Sequence, residues 1–149
     1  MKDPLEYITD FEKKIAEYFG APYAVAVDCC THALELCFRL ENDIALVPRQ
    51  TVISIPFMLE KIKHPWKFVD NKWEEYYKLT PTIIDAATLW RKNCYIPNTK
   101  MCLSFHYRKH LNIDRGGMIL LDNKSNAELL SRMAYDGRER NNIPWSEQD

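Results

Sequence analysis

Short apolar runs alternate with amphipathic segments along most of the chain. From Thr9 to Phe19 the apolar residues recur near helical spacing and Gly20 follows, so this segment is predicted to be a helix that ends there. The apolar run 23–27 is predicted to be a strand, and the hydroxyl of Thr31 is expected to cap a second helix. The pattern therefore begins as helix, strand, tight turn and helix.

The later pattern adds helices and further short strands. The stretch from Thr51 to Ile62 is predicted to be a helix that Pro56 kinks, and 126–135 is another helix, whereas 70–79 has no clear period. Strands alternating with helices predict one domain over 1–149, a three-layer α/β/α fold with a mostly parallel central sheet. In that fold ligands bind at the carboxyl ends of strands. The additional strands are predicted at 44–47, 66–69, 82–85, 101–105 and 118–121.

Composition and charge narrow the classes of partner. The 149 residues are 46% hydrophobic and 28% charged, which is typical of a soluble globular domain. Because 20 basic and 21 acidic residues are mixed along the chain, no nucleic-acid partner is expected. No apolar run is long enough for a membrane span and the first residues are charged, so a cytoplasmic location is expected. Five cysteines in no common zinc spacing predict neither disulfides nor a metal site.

Polar residues suited to catalysis or ligand binding follow several predicted strands. Thr31 at a helix start is suited to bind a phosphate, but the same residue is expected in an ordinary helix cap. Asp85 is suited to face a cationic ring nitrogen, or it is a turn aspartate. The cations around Lys109 favour the neutral amine that a Schiff base needs, although a solvated basic cluster has the same composition. Taken singly, these segments leave both interpretations open.

Taken in order, the segments resemble the PLP-dependent nucleotide-sugar aminotransferases. Cys29-Cys30-Thr31 falls where the family usually has Ser-Gly-Thr, and Ile84-Asp85-Ala86-Ala87 is similar to its Glu-Asp-Ala-Ala signature. The most specific match is Ser104-Phe105-His106-Tyr107-Arg108-Lys109, which has the Ser-Phe-His-x-x-Lys spacing. The resemblance extends over nearly the whole chain, from Phe11-Glu12 through Val47-Pro48 and Gly116-Gly117 to Asp136-Gly137-Arg138.

The resemblance implies a reduced version of the large domain of fold type I enzymes, with pyridoxal phosphate (PLP) as cofactor. It implies that Lys109 binds PLP as a Schiff base and moves protons, and that Asp85 pairs with the pyridine nitrogen. It also implies that Ser104 and Thr31 bind the phosphate. The remaining cofactor-binding positions are Cys30, Ala87 and His106.

The resemblance further implies transfer of an amino group, with glutamate as donor, to the keto sugar of a nucleotide sugar. Family members are homodimers, in which a residue of the partner completes the phosphate site. This chain departs from the family pattern at Cys30, where a glycine is usual, and at Val52, where an aromatic residue is usual. It also has a shortened stretch between Asp70 and Thr82 and lacks the family's small C-terminal domain. Two alternatives therefore stay open: a catalytically degenerate PLP- or sugar-binding dimer, and a fragment completed by a second chain.

Overall fold

The described strands form two sheets in the computed structural model, which describes residues 3–141 and 143–148. One sheet has five strands in the order β1-β7-β6-β5-β4, and the other pairs β2 with β3. Their bounds are β1 Tyr23–Val27, β2 Ala45–Pro48, β3 Trp66–Val69, β4 Tyr77–Lys78, β5 Ile83–Asp85, β6 Lys100–Ser104 and β7 Gly117–Leu121.

Four α-helices accompany the strands in the described part of the chain. At the start of α1 the Asp3 carboxylate accepts from the Leu5 N–H at 2.9 Å, and Gly20 ends this helix with φ 74°. A left-handed residue after a helix is most easily glycine, which has no Cβ to clash. The helices are α1 Pro4–Phe19, α2 Cys30–Phe38, α3 Ser54–Lys61 and α4 Lys124–Ala134, and a short 3-10 helix covers Trp145–Glu147.

The α/β class predicted from the sequence is confirmed, but the prediction of a mostly parallel central sheet is wrong. In the five-stranded sheet only β5 and β6 are parallel; the β1–β7, β6–β7 and β4–β5 pairs are antiparallel. The β2–β3 pair is parallel. Parallel neighbours need a crossover of about a dozen residues or more, whereas only residues 79–82 join β4 to β5. This short connection allows β4 and β5 to pair only as an antiparallel hairpin.

Strand β4, which the sequence pattern did not predict, stands between the two sheets. The Leu79 N–H donates to the Ile83 carbonyl at 2.9 Å, which closes a tight turn between β4 and β5. The Leu46 N–H of β2 donates to the Leu79 carbonyl at 2.7 Å, so this segment also contacts the second sheet. The short stretch between Asp70 and Thr82 thus joins the two sheets, although its pattern has no period that would have revealed a strand.

Apolar side chains of the five-stranded sheet are buried in two clusters. Alternate strand residues point to opposite faces, so neighbours such as Ile119 and Leu120 enter different clusters. Helix α1 contributes Phe19 to the cluster of Leu120, while α2, α3 and α4 contribute to the cluster of Ile119. Burial of both faces fixes the register of the strands and hence the position of every residue at their ends.

Two helix starts differ from the sequence predictions. Cys29 caps α2, since its sulfur accepts from the His32 N–H at 3.5 Å, and Thr31 lies inside the first turn. Helix α3 begins only at Ser54, so Pro56 lies in its first turn, where its missing N–H has no helical acceptor to lose. Across residues 3–141 and 143–148, no helix combines the length and apolar character that a membrane crossing requires.

Candidate functional site

A cavity of about 290 Å³ lies at the ends of strands β1, β5 and β6. Its walls include all seven residues that the sequence analysis predicted, although they come from three separate segments. A larger groove of about 510 Å³ beside the start of α1 is lined mainly by charged and polar side chains and contains none of the predicted residues. The smaller cavity is therefore the candidate site. Its lining residues are Cys29, Cys30, Thr31, Val52, Ser54, Ile55, Asp85, Ala87, Ser104, His106, Lys109, Arg115 and Gly116.

Asp85 places a buried carboxylate at the end of β5. Its side chain is only 5% exposed. Burial raises the pKa of Asp85, because a charged carboxylate loses hydration, while hydrogen bonds from Tyr77 and Ala87 and the charge of Lys109 act in the opposite direction. The Ala87 N–H donates to Oδ1 at 3.0 Å. A cation in the cavity would further stabilise the ionised form of this carboxylate.

Tyr77 binds the other oxygen of this carboxylate. Its hydroxyl donates to Asp85 Oδ2 at 2.6 Å and lies 2.6 Å from Thr51 Oγ1. The phenol is 5% exposed and its ring contacts that of Trp73, with 4.7 Å between the centroids. Burial and the neighbouring Asp85 charge raise the pKa of Tyr77, so it remains a neutral donor. Both oxygens of Asp85 are thus fixed, which the sequence pattern gave no means to predict.

Lys109 lies in the loop between β6 and β7. Its backbone N–H donates to the His106 carbonyl at 2.8 Å, and the loop closes through a bond from the Phe105 N–H to the Gly116 carbonyl at 2.9 Å. The amine of Lys109 and the carboxylate of Asp85 face the same cavity, and their charges interact. His106 also lines the cavity, and its backbone N–H donates to Ser104 Oγ at 3.4 Å.

The opposite end of the cavity is formed by the start of α2 and the ends of β1 and β6. In the sheet register Gly117 pairs with both Val27 and Ser104, which brings Ser104 next to the turn before α2. A Cβ atom on Gly117 would lie 2.5 Å from the Cys29 carbonyl carbon, so only glycine permits this approach. The Thr31 hydroxyl lies 3.0 Å from the Ser54 hydroxyl. Hydroxyls and helix N–H groups are therefore concentrated here, in a form that suits an anion.

Cys30 lies at the position where the family that this chain resembles usually has glycine. Its side chain fits there because it points into the protein core. Its thiol is buried and donates to the Cys102 carbonyl at 3.5 Å. Burial raises the pKa of Cys30 well above its ordinary value, as expected for a thiol surrounded by apolar side chains. The side chain therefore serves as a small core residue under the turn, and it touches the cavity from below.

The side of the cavity nearest α3 is incomplete. Val52 lines it but is 58% exposed, so little of its surface is covered. Thr88, just after Ala87, donates its hydroxyl to the Glu75 carbonyl at 2.6 Å, is exposed and does not line the cavity. Apolar stacking on a planar ligand is therefore weaker here than an aromatic residue would provide.

Arg115 and Ser54 line the cavity but were not singled out from the sequence. Arg115 Nη2 donates to Asp28 Oδ2 at 3.0 Å, and His32 Nδ1 lies 2.5 Å from Asp28 Oδ1. Partial burial raises the pKa of Asp28, but the bonds from His32 and Arg115 outweigh it and the net pKa is lowered. The ligand atoms of Asp28, His32 and Cys29 lie within 4.8 Å of one another. Since Arg115 already neutralises that carboxylate, we assign this group to an ion-pair network.

Sequence and structure comparisons identify the relatives of the chain. The model of the DegT/DnrJ/EryC1/StrS aminotransferase family matches residues 4–59. Residues 4–59 thus have the sequence signature of this aminotransferase family. The family resemblance inferred from the motifs is thereby confirmed, and it indicates pyridoxal phosphate as the cofactor. Among curated protein sequences, no relative matches.

Solved structures share the fold over nearly the whole chain. 3-Amino-5-hydroxybenzoic acid synthase matches at a TM-score of 0.75 and 18% identity, covering 97% of this chain and 50% of that one. AtS13 from Actinomadura melliaura matches at 0.76 and 18%, covering 99% and 55%. DesI, solved with its TDP-sugar product, matches at 0.69 and 18%, covering 93% and 46%. This chain therefore spans about half the length of the structures it matches.

The residues of the cavity fit PLP. The cofactor presents an aldehyde, a ring nitrogen and a phosphate, and the cavity offers an amine at Lys109 and a buried carboxylate at Asp85. The turn before α2 packs closely on Gly117 and lines the cavity together with Ser104, so backbone N–H groups and hydroxyls border this end in a form that suits an anion. The chemistry of the donor set thus matches each polar part of the cofactor.

Proposed function

We propose that the protein is a PLP-dependent aminotransferase that moves an amino group from glutamate to the keto sugar of a nucleotide sugar. The observation that carries the proposal is that the Asp85 carboxylate and the Lys109 amine face one cavity, whose other end has hydroxyls and helix N–H groups. The family match and the shared fold support the aminotransferase class. A relative solved with its TDP-sugar product, DesI, and a dehydratase solved with trapped PLP-glutamate support the choice of substrates.

When bound, PLP supplies an aldehyde that attaches to amines and a ring that withdraws electrons from the attached carbon. Lys109 would hold the cofactor and would then carry a proton between the substrate carbon and the cofactor, because its amine faces the cavity and can be neutral. Asp85 would keep the ring nitrogen protonated, since its buried carboxylate is stabilised by a cation. Thr31 and Ser104 would donate hydrogen bonds to the phosphate.

The other predicted residues have supporting roles in this proposal. The backbone of Ala87 fixes the Asp85 carboxylate through its N–H. His106 is suited to pass a proton near Lys109, while Cys30 supports the turn before α2 from below. Each of these roles needs the cavity to exclude water, and the exposed Val52 side leaves it open.

A second copy of the chain would close the open side. Apolar side chains are exposed next to the cavity at the start of α3: Val52 is 58%, Ile53 63% and Phe57 66% exposed. Burial of such a patch stabilises an interface by about 25 cal/mol per Å² of apolar area removed from water. We therefore include a homodimer in the proposal, with the protein acting in the cytoplasm.

The test is to add PLP to the purified protein and record the visible absorption of a lysine-bound cofactor. Borohydride reduction should then fix the cofactor to the peptide that contains Lys109. Addition of glutamate to the unreduced protein should convert the absorption band, because the amino group moves to the cofactor. Lys109→Ala should remove the band, whereas Lys92→Ala, an exposed lysine away from the cavity, should leave it intact.

The outcomes separate the proposed activity from a binding function. Absence of the band, or its persistence in Lys109→Ala, would refute the PLP proposal. A band that forms on Lys109 but does not respond to any amino acid would favour a catalytically degenerate binding protein. The exposed Val52 and the substituted turn at Cys30 are the observations that favour this second candidate.

A further inference from the structure

We propose that Arg115 supplies the positive charge that binds the phosphate of PLP, and that Asp28 holds its guanidinium in position. This inference rests on the proposed function and assigns a ligand-binding residue within the same cavity. It concerns a side chain that the motif comparison did not single out, since Arg115 precedes the Gly116-Gly117 pair without being part of the motif.

The sheet register puts Arg115 at the phosphate end of the cavity. Strand β7 lies between β1 and β6, and its first residue, Gly117, pairs with Val27 on one side and Ser104 on the other. Arg115 is two residues before Gly117, beside the turn that leads into α2. Asp85 is on β5, which β6 separates from β7. Arg115 is therefore close to Ser104 and distant, by two strands, from the carboxylate that faces the ring nitrogen.

A charged donor would strengthen phosphate binding at this end, and the ligand would share the Arg115 guanidinium with Asp28. A phosphate ester has a charge of about −1.5 to −2 near neutral pH. Hydroxyls and helix N–H groups provide only partial positive charge. Among the cavity-lining residues, Lys109 and Arg115 have permanently basic side chains, and Lys109 is assigned to the aldehyde. Arg115 is then the cation that remains for the phosphate.

The guanidinium is held in place but still has free donors. Its Nη2 is bound to Asp28 Oδ2 at 3.0 Å, and the lowered pKa of Asp28 means that this carboxylate keeps its charge. Arginine offers five N–H donors in a planar fork that suits phosphate oxygens. In the described residues no hydrogen bond from Nε or Nη1 accompanies the bond to Asp28, so these donors remain for an anion.

The experiment compares PLP with pyridoxal, which has the same ring and aldehyde but no phosphate. Dissociation constants of both are measured by absorbance for the unsubstituted protein, for Arg115→Gln and for Arg91→Gln. Arg91 is a matched control because it is also an exposed arginine bound to a carboxylate, with Nη1 3.1 Å from Glu75 Oε2, and it does not line the cavity. Melting curves of all three proteins check that the variants are folded.

We expect Arg115→Gln to weaken PLP binding at least about tenfold and to change pyridoxal binding by less than about twofold, since a charge-assisted bond is lost only with the phosphate. Arg91→Gln should change neither constant by more than about twofold, because an exposed ion pair away from the cavity contributes little. Equal weakening of both ligands by Arg115→Gln would overturn the inference, because it would indicate a general effect on the cavity. Unchanged PLP binding would also overturn it.

The failure of this inference is distinguishable from that of the proposed function. If Arg115→Gln binds PLP with the same affinity as the unsubstituted protein, and PLP attachment still depends on Lys109, only the inference about Arg115 fails. If the unsubstituted chain binds neither PLP nor pyridoxal, the proposed function fails and this inference fails with it.

Discussion

Replacement of Tyr77 by phenylalanine tests whether a buried hydrogen bond fixes the Asp85 carboxylate. The substitution retains the ring, which packs against Trp73, and removes only the hydroxyl that donates to Asp85 Oδ2 at 2.6 Å. No cavity larger than one oxygen atom is created, so the loss reports the hydrogen bond. Thr51 also loses its partner, but it is half-buried and can bind water instead.

The magnitude follows from the charge of the acceptor. A hydrogen bond to a charged group contributes about 1.5–3 kcal/mol, and one to a neutral group about 0.5–1.5 kcal/mol. Burial raises the folded-state pKa of Asp85, so its ionisation opposes folding and stability is lost as the pH rises through that pKa. Because Tyr77 lowers this pKa, Tyr77→Phe should lose more stability above the pKa of Asp85 than below it.

The assay is urea unfolding of the PLP-free protein at about pH 4 and about pH 8, since the carboxyl is more ionised at the higher pH. Tyr77→Phe should lower the free energy of unfolding at both values, with the larger loss at the higher pH. The same substitution in an Asp85→Asn background is the control, and there the loss should not depend on pH. A loss that is equal at both pH values in the original background would refute the reasoning.

Three further predictions concern the surface and the walls of the cavity. Phe57→Glu should shift the protein from dimer to monomer in sedimentation, because it places a charge in the exposed apolar patch at the start of α3. The control Leu129→Glu, on α4, should leave the dimer intact. A dimer that survives Phe57→Glu would locate the interface elsewhere. Gly117→Ala should destabilise the fold by more than about 2 kcal/mol, since its Cβ would meet backbone at 2.5 Å; an unchanged melting temperature would contradict this contact. Val52→Phe should tighten PLP binding by about tenfold or less, through aromatic stacking on the exposed side. Unchanged affinity in an absorbance titration would show that this side chain does not reach the ring.

Motifs with fixed spacing made much of the candidate site predictable from the sequence. The Ser104-Phe105-His106 and Lys109 spacing, the Asp85-Ala86-Ala87 run and the turn at Cys30-Thr31 were identified without coordinates, and all of these segments border the same cavity. The order of residues along the chain is enough to identify these segments, because each follows a buried strand whose apolar run marks where the strand ends. Tyr77 could not be found in this way, since it precedes Asp85 in a stretch with no period and its role depends on a contact across β4 and β5.

The sequence by itself determined the α/β class, the approximate positions of the helices and of most of the strands, and most of the residues that form the polar walls of the cavity. These features depend on local periodicity, turn chemistry and motif spacing, which can be read from the amino-acid sequence. Only the tertiary structure decided the direction of the strands, the close approach of Gly117 to Cys29 and the pairing of Arg115 with Asp28. Each of these depends on which distant segments lie side by side, because antiparallel pairing, close approach at Gly117 and ion pairs across loops are set by packing in space.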